Sequence, residues 1–172
     1  MIKKDSIIEF LNESKNIEQT SNYHKENLYV HTIRVAYYLY QKTASRVYVL
    51  AGLLHDTGKI QTRVKRENKG WTFYGHAKVS ADNLYKYLTT DDKDYKLVKD
   101  IVANHMVFYE CNGTESQIKH LTKYGYGASF IDNLKLFNDA DEFACIRDES
   151  LLMDDSEYYD KQRIIFDFLG LN

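Results

Sequence analysis

Apolar positions return every three or four residues through most of the chain, which is the spacing of one helical face. Leu28, His31, Val35, Tyr38 and Leu39 share a face over residues 26–43. Val47, Leu50, Ala51 and Leu54 mark a second helix, expected to end near Gly58 as the glycine just past its C-terminus. A third opens around His76 and carries Leu84, Tyr87 and Leu88. Val98, Ile101, Val102, His105 and Phe108 form the stripe of a fourth. A fifth, over 129–147, sets Leu134, Phe137, Asp141 and Ala144 on one side. A sixth, over 157–169, packs Ile164, Ile165 and Phe168. Between the second and third, "IQTRVKRENKGWTFYG" has no helical period and reads as a loop or a short hairpin turning at "ENKG". No repeat, low-complexity tract or linker divides the chain. The pattern predicts an all-α fold, a single helical-bundle domain over residues 1–172.

Composition supports that reading. A chain of 172 residues is long enough for one sizeable core. It contains no proline, so the strongest helix breaker is missing. The formal net charge of −2 gives no global attraction to nucleic acid, although a local basic stretch could supply one. No apolar run approaches the ~18 residues of a membrane span. The opening "MIKKDSIIEFLNESKN" lacks the uninterrupted apolar stretch and small-residue cleavage site of a signal peptide. Cys111 and Cys145 are isolated, which suits a reducing compartment better than a disulfide framework. The expectation is a cytoplasmic protein with no membrane association, and no protein partner is implied.

Polar residues interrupt the apolar stripes in a way composition does not explain. His31, His105 and Asp141 fall on the buried side of their helices, His55 and Asp56 close another element, and His76 opens one. A lone histidine on such a face is most often a satisfied core residue, but a buried carboxylate without a partner is rare. One shared divalent metal centre would compensate all of them together. Imidazole and carboxylate without thiolate suit Mn, Fe, Co, Ni, Zn or Mg. "FNDADEFAC" offers both Asp139 and Asp141. Asp141 follows Phe137 by four and Leu134 by seven and so faces the core, whereas Asp139 points with Lys135 and Glu142.

The order His31, His55-Asp56 and a late aspartate resembles the HD superfamily of metal-dependent phosphohydrolases, whose fold is an all-α bundle. The resemblance implies that His31, His55, Asp56 and Asp141 bind one ion. His76 and His105 resemble the further ligands of the two-metal subset, with Asp56 bridging to a second ion. "YHKENLYVHT", "GLLHDTGKIQTR" and "FYGHAKVSADNL" are similar to the HD domains of bacterial tRNA nucleotidyltransferases and of end-healing polynucleotide kinases. Those domains are associated with 2′,3′-cyclic phosphodiesterase and phosphatase activity. The expected substrate is therefore a nucleotide or an RNA-terminal phosphate. The alternatives are hydrolysis of a nucleotide second messenger or dinucleotide, and nucleotide sensing without turnover.

Phosphoester hydrolysis asks for cations and proton carriers beside the metals. Asp56 and Lys59 are the expected catalytic residues. Lys59, four residues past His55, could neutralise the phosphate, and Arg63 could contact it in bidentate fashion. His24 either contacts substrate, or protonates the leaving group, or merely begins a helix. The stretch from Arg63 to Tyr74 interleaves Lys65, Arg66 and Lys69 with Trp71, Phe73 and Tyr74. It either binds a nucleotide by phosphate contact and stacking or docks its aromatics on the core. His120 is expected at the surface, and "DESLLMDDSEYYD" lacks the spacing of a calcium loop.

Overall fold

The computed structural model describes residues 1–19, 24–110 and 113–172. It is all-α, with one small hairpin. The helices are α1 (Lys4–Ser14), α2 (Leu28–Thr43), α3 (Arg46–Leu54), α4 (Lys59–Thr62), α5 (His76–Asp82), α6 (Tyr95–Asn104), α7 (Val107–Glu110), α8 (Thr114–Lys123), α9 (Ala128–Ala144) and α10 (Asp155–Leu169). Strands β1 (Val64–Arg66) and β2 (Gly70–Thr72) pair antiparallel, so the basic stretch turns at "ENKG" as a hairpin, with Asn68 at positive φ. No helix among the described residues is long and apolar enough to cross a membrane.

Helix α2 is the central element and packs on α3, α9 and α10. Asn27 caps it by accepting from the Val30 amide at 2.9 Å, satisfying one of the otherwise orphaned first-turn donors. Its buried face carries Leu28, Val35, Ala36 and Leu39, which meet Leu50, Leu53 and Leu54 of α3 and Leu134 and Phe137 of α9 in one core. The α2–α3 crossing is close. A Cβ on Gly52 would lie 2.9 Å from the Ala36 Cα, so only glycine lets these two backbones approach. Arg34 of α2 donates from Nε to the Ala144 carbonyl at 2.9 Å, closing the C-terminal end of α9 against α2. Arg46 forks onto Asp92 at 2.8 and 2.9 Å and also contacts Asp94, pinning the start of α3 to the loop before α6.

Three expectations about element ends are corrected. Helix α3 stops at Leu54 rather than near Gly58, and Gly58 has φ −71°, so it is no left-handed helix terminator. Its glycine answers a different need, described below. The helix opening at His76 ends at Asp82, and Leu84, Tyr87 and Leu88 reach the core from a 3-10 turn and the residues after it. The fourth stripe also breaks, with His105 at the C-cap of α6 and Phe108 in α7. After the breaks Leu84 and Leu88 are buried, and Phe108 is half-buried. Helices α1, α4 and α8 were not anticipated from the pattern, and residues 60–62, expected in the loop or hairpin, belong to α4. Ile7, Phe10 and Leu11 of α1 belong to the core.

Candidate metal centre

Six side chains from five elements converge in the interior. His31 comes from the middle of α2, and His55 and Asp56 from the turn that continues α3. His76 is the first residue of α5, launched by Gly75 in a left-handed conformation (φ +78°). His105 is the C-cap of α6, and Asp141 lies on the buried face of α9. All six are buried, while Asp139 is exposed, as the helical-face reading of "FNDADEFAC" requires.

The two oxygens of Asp56 divide the cluster. Oδ2 lies 3.1 Å from His55 Nε2 and 3.5 Å from His31 Nε2. On that side Asp141 Oδ1 stands 2.9 Å from His31 Nε2 and 3.5 Å from His55 Nε2. Oδ1 of Asp56 faces the other way, 3.1 Å from His76 Nε2 and 3.8 Å from His105 Nε2. The Nε2 atoms of His76 and His105 are 3.0 Å apart.

The far nitrogens fix the rings. Nδ1 of His55, His76 and His105 lies 2.9, 2.8 and 2.7 Å from the carbonyls of Gly52, Phe73 and Val102, each three residues earlier. A carbonyl only accepts, so each Nδ1 carries the hydrogen and each Nε2 is turned to the centre. His31 is held differently, with Nδ1 3.4 Å from Glu26 Oε1. Oriented imidazoles with a carbonyl or carboxylate behind them are the usual support of metal-binding histidines.

This donor set fits one or two divalent ions. Nε2 of His31 and His55 and Oδ1 of Asp56 are buried and make no hydrogen bond of ordinary geometry among the described residues. Buried groups in that condition are costly unless a cation or protons gather them. His31, His55 and Asp56 form one group with donor atoms within 4.8 Å, Asp56, His76 and His105 a second, and His55, His105 and Asp141 a third. The electrostatics are those of a site built for positive charge. Burial opposes the ionised forms of Asp56 and Asp141, yet the adjacent histidines, and Lys59 for Asp56, hold both carboxyls well below the usual range.

The remaining expected residues lie around this cluster. Lys59 stands against the cluster itself. It opens α4, is buried, and places Nζ 2.7 Å from Asp56 Oδ2 and 2.6 Å from Gln19 Oε1, because the turn after Asp56 brings position i+3 back over it. Arg63 is half-buried, with Cζ 3.6 Å from the centre of the Trp71 ring. His24 stands beside His31, Nδ1 2.7 Å from Glu26 Oε1 and Nε2 3.9 Å from Cys145 Sγ. His120 is exposed. Cys111 lies outside the described residues.

Sequence reasoning missed Glu26, Gln19 and Ser80. Glu26 is buried and accepts from the amides of Lys25 and Ile146 as well as facing His24 and His31. Burial would raise its carboxyl, but the two histidines hold it down at about 2. Gln19 and Glu26 precede α2 in irregular chain, where no periodicity marks a buried polar residue. Ser80 accepts from the Gly58 amide at 2.8 Å. A Cβ on Gly58 would collide with the His76 carbonyl and lie 2.7 Å from the Ser80 nitrogen, so this glycine is what lets the Asp56 turn dock on α5.

The family model of the HD domain matches residues 28–145, a span that begins with α2, ends just past α9 and contains all six clustered residues. No curated protein matches the chain. The HD domain implies metal-dependent phosphohydrolase chemistry in general, and the chain belongs to the HD domain family.

Proposed function

We propose that the protein hydrolyses a phosphoester of a nucleotide or of an RNA terminus, a 2′,3′-cyclic phosphodiester being the form its sequence motifs favour. The observation that carries this reading is the division of Asp56 between two histidine groups, Oδ2 toward His31 and His55 and Oδ1 toward His76 and His105. In it, His31, His55, Asp56 and Asp141 hold one divalent ion, and Asp56, His76 and His105 hold a second. Bound there, such ions activate water and polarise phosphate oxygens.

The chain's own residues do the rest. Lys59 brings a buried ammonium to the edge of the cluster, where its charge meets a phosphate oxygen in a site poor in water. Gln19 Oε1 accepts from that ammonium as well as Asp56 and fixes it. Glu26 orients both His31, as a ligand, and His24, as the imidazole presented to substrate. Arg63 adds a guanidinium four residues beyond Lys59 for a further phosphate oxygen.

The test is a hydrolysis screen of the purified protein with Mn, Co, Ni and Mg against 2′,3′-cyclic nucleotides, nucleoside monophosphates, cyclic dinucleotides and diadenosine polyphosphates. Turnover of cyclic or terminal phosphates that His55→Ala and Asp56→Ala abolish is the expected result. Turnover confined to cyclic dinucleotides or diadenosine polyphosphates would replace it with the second-messenger or dinucleotide reading. No turnover with any metal, together with nucleotide binding, would make the protein a sensor.

A further inference from the structure

The hairpin that returns the chain from Lys59 to His76 sets a cation on a ring on both faces, Arg66 Cζ lying 5.1 Å from the Tyr74 ring centre on one, but only the other leads back to Lys59. Lys65 stands opposite Trp71 in its register, so Arg63, Lys65, Trp71 and Phe73 share one face of the ribbon. On that face cations and rings alternate outward from the metal centre. Lys59 Nζ lies 5.5 Å from the centre of the Phe73 ring. Arg63 Cζ is 3.6 Å and Lys65 Nζ 5.5 Å from the centre of Trp71. The row runs from buried Lys59, through half-buried Phe73, Arg63 and Trp71, to exposed Lys65.

Two observations set this row apart from a simple brace for the hairpin. The Arg63 Nε is buried beside Trp71 and has no hydrogen-bond acceptor among the described residues, so no internal carboxylate there neutralises this guanidinium. The segment 63–74 also concentrates Arg63, Lys65, Arg66 and Lys69 against Glu67 alone, in a chain of formal net charge −2. Glu18 accepts from Trp71 Nε1 at 3.3 Å and holds the edge of the ring, and Asp56 meets Lys59 at the inner end of the row.

A mononucleotide offers this row one phosphate and one base. Cations set among aromatic rings suit a ligand with repeating phosphates and repeating flat bases. We propose, resting on the function proposed above, that the Arg63–Lys65–Trp71–Phe73 face is a track for single-stranded nucleic acid leading into the metal centre. The substrate class is then the phosphate-bearing end of a strand, in preference to a mononucleotide.

Trp71 is the only tryptophan in the chain, so its emission reports on the track directly. Magnesium-loaded protein is titrated with a single-stranded ten-nucleotide oligouridylate with hydroxyl ends, with uridine monophosphate, and with polyglutamate. The oligonucleotide is expected to change Trp71 emission and to bind at least about ten-fold more tightly than the monophosphate. Its log affinity should fall with log salt with a slope of about −1.4, for the two phosphates met by Arg63 and Lys65. Lys65→Ala, at an exposed position, and Arg63→Gln should each flatten that slope by about 0.7 and weaken binding several-fold. Trp71→Leu, followed by anisotropy of a labelled oligonucleotide, should weaken it as well. Equal affinity for oligonucleotide and monophosphate, equal binding of polyglutamate, or an unchanged slope in Lys65→Ala and Arg63→Gln would overturn the proposal. Binding needs no turnover, so the two readings fail separately. A protein that binds the strand in this way but hydrolyses no phosphoester keeps the track and loses the proposed function. One that hydrolyses mononucleotides but binds the strand no better loses the track alone.

Discussion

The Nε2 atoms of His76 and His105 stand 3.0 Å apart, although the two residues sit at the ends of different helices. Both rings are locked in this position by Nδ1–H donation to a carbonyl three residues earlier. In the neutral rings that bind metals, the two facing nitrogens are lone pairs, and they repel at this separation unless a cation lies between their directions. Asp56 Oδ1, 3.1 Å from His76 Nε2, adds a negative charge to the same point.

That relationship predicts the metal stoichiometry. His76→Gln and His105→Gln should each remove about one metal equivalent of two and cut turnover by orders of magnitude. The double variant should be little worse than either single one, because groups that act as a unit are not additive. Elemental analysis with kinetics decides it. Both variants retaining two metals and near-normal turnover would leave a mononuclear site of His31, His55, Asp56 and Asp141.

Asp141→Ala is expected to cost far more metal and activity than Asp139→Ala. Asp141 is buried 2.9 Å from His31 Nε2, whereas Asp139, two residues earlier on the same helix, is exposed. Comparable losses in two variants that circular dichroism shows to be folded would leave the helical-face choice of Asp141 over Asp139 without support.

How much of this was legible in the sequence follows from where each residue sits. His31 and Asp141 lie inside long, uninterrupted helices, so counting threes and fours placed them on the buried face correctly. His55, Asp56 and His105 lie just past helix ends, where the pattern still shows burial but not the turn that aims the side chain. Lys59 shows the limit of reading by spacing. Position i+4 from His55 said nothing of an ammonium folded back over Asp56. Gln19 and Glu26 left no trace, since a polar residue in irregular chain looks solvated whether or not a buried partner awaits it. Gly58 was noticed for the wrong reason. Its missing Cβ serves a contact with residues 76 and 80, a long-range requirement that local pattern cannot encode.

Gly58→Ala tests that contact. The new methyl group would meet the His76 carbonyl and the Ser80 nitrogen, both backbone atoms that cannot rotate aside. Overpacking of this kind costs about 1–3 kcal/mol. The strain falls on the joint between Asp56 and His76, so we expect a lowered melting temperature together with weakened binding of the second metal. Calorimetry and metal titration measure the two effects. A variant as stable and as metal-loaded as the parent would mean that the Asp56 turn and α5 are not coupled through this residue.

Protons and metal should compete for the cluster, with a sign set by its charges. In the metal-free protein burial opposes a charge on His55, but Asp56 and Asp141 overcome it and push its pKa up to about 10. His31 is also raised, with burial again outweighed, here by Asp141 and Glu26. His105 is pushed down to about 3 by burial, reinforced by His76 and His55, and is neutral already. At neutral pH the metal-free cluster therefore holds a proton on His55 that a bound ion must displace. Apparent metal affinity should rise between pH 7 and 9, about ten-fold per unit for each proton released. Calorimetric titration in two buffers of different ionisation enthalpy counts those protons. Stability follows the same linkage. The contribution of a raised His55 is complete below its ordinary value of 6.5 and is lost as the pH rises through about 10. The metal-free protein should thus melt at a lower temperature at pH 10 than at pH 7, while the metal-loaded protein, with no proton on His55 to lose, should not show this fall. A metal affinity flat from pH 7 to 9 with no proton release would mean that His55 is neutral before the metal arrives, and that Asp56 and Asp141 do not govern its charge.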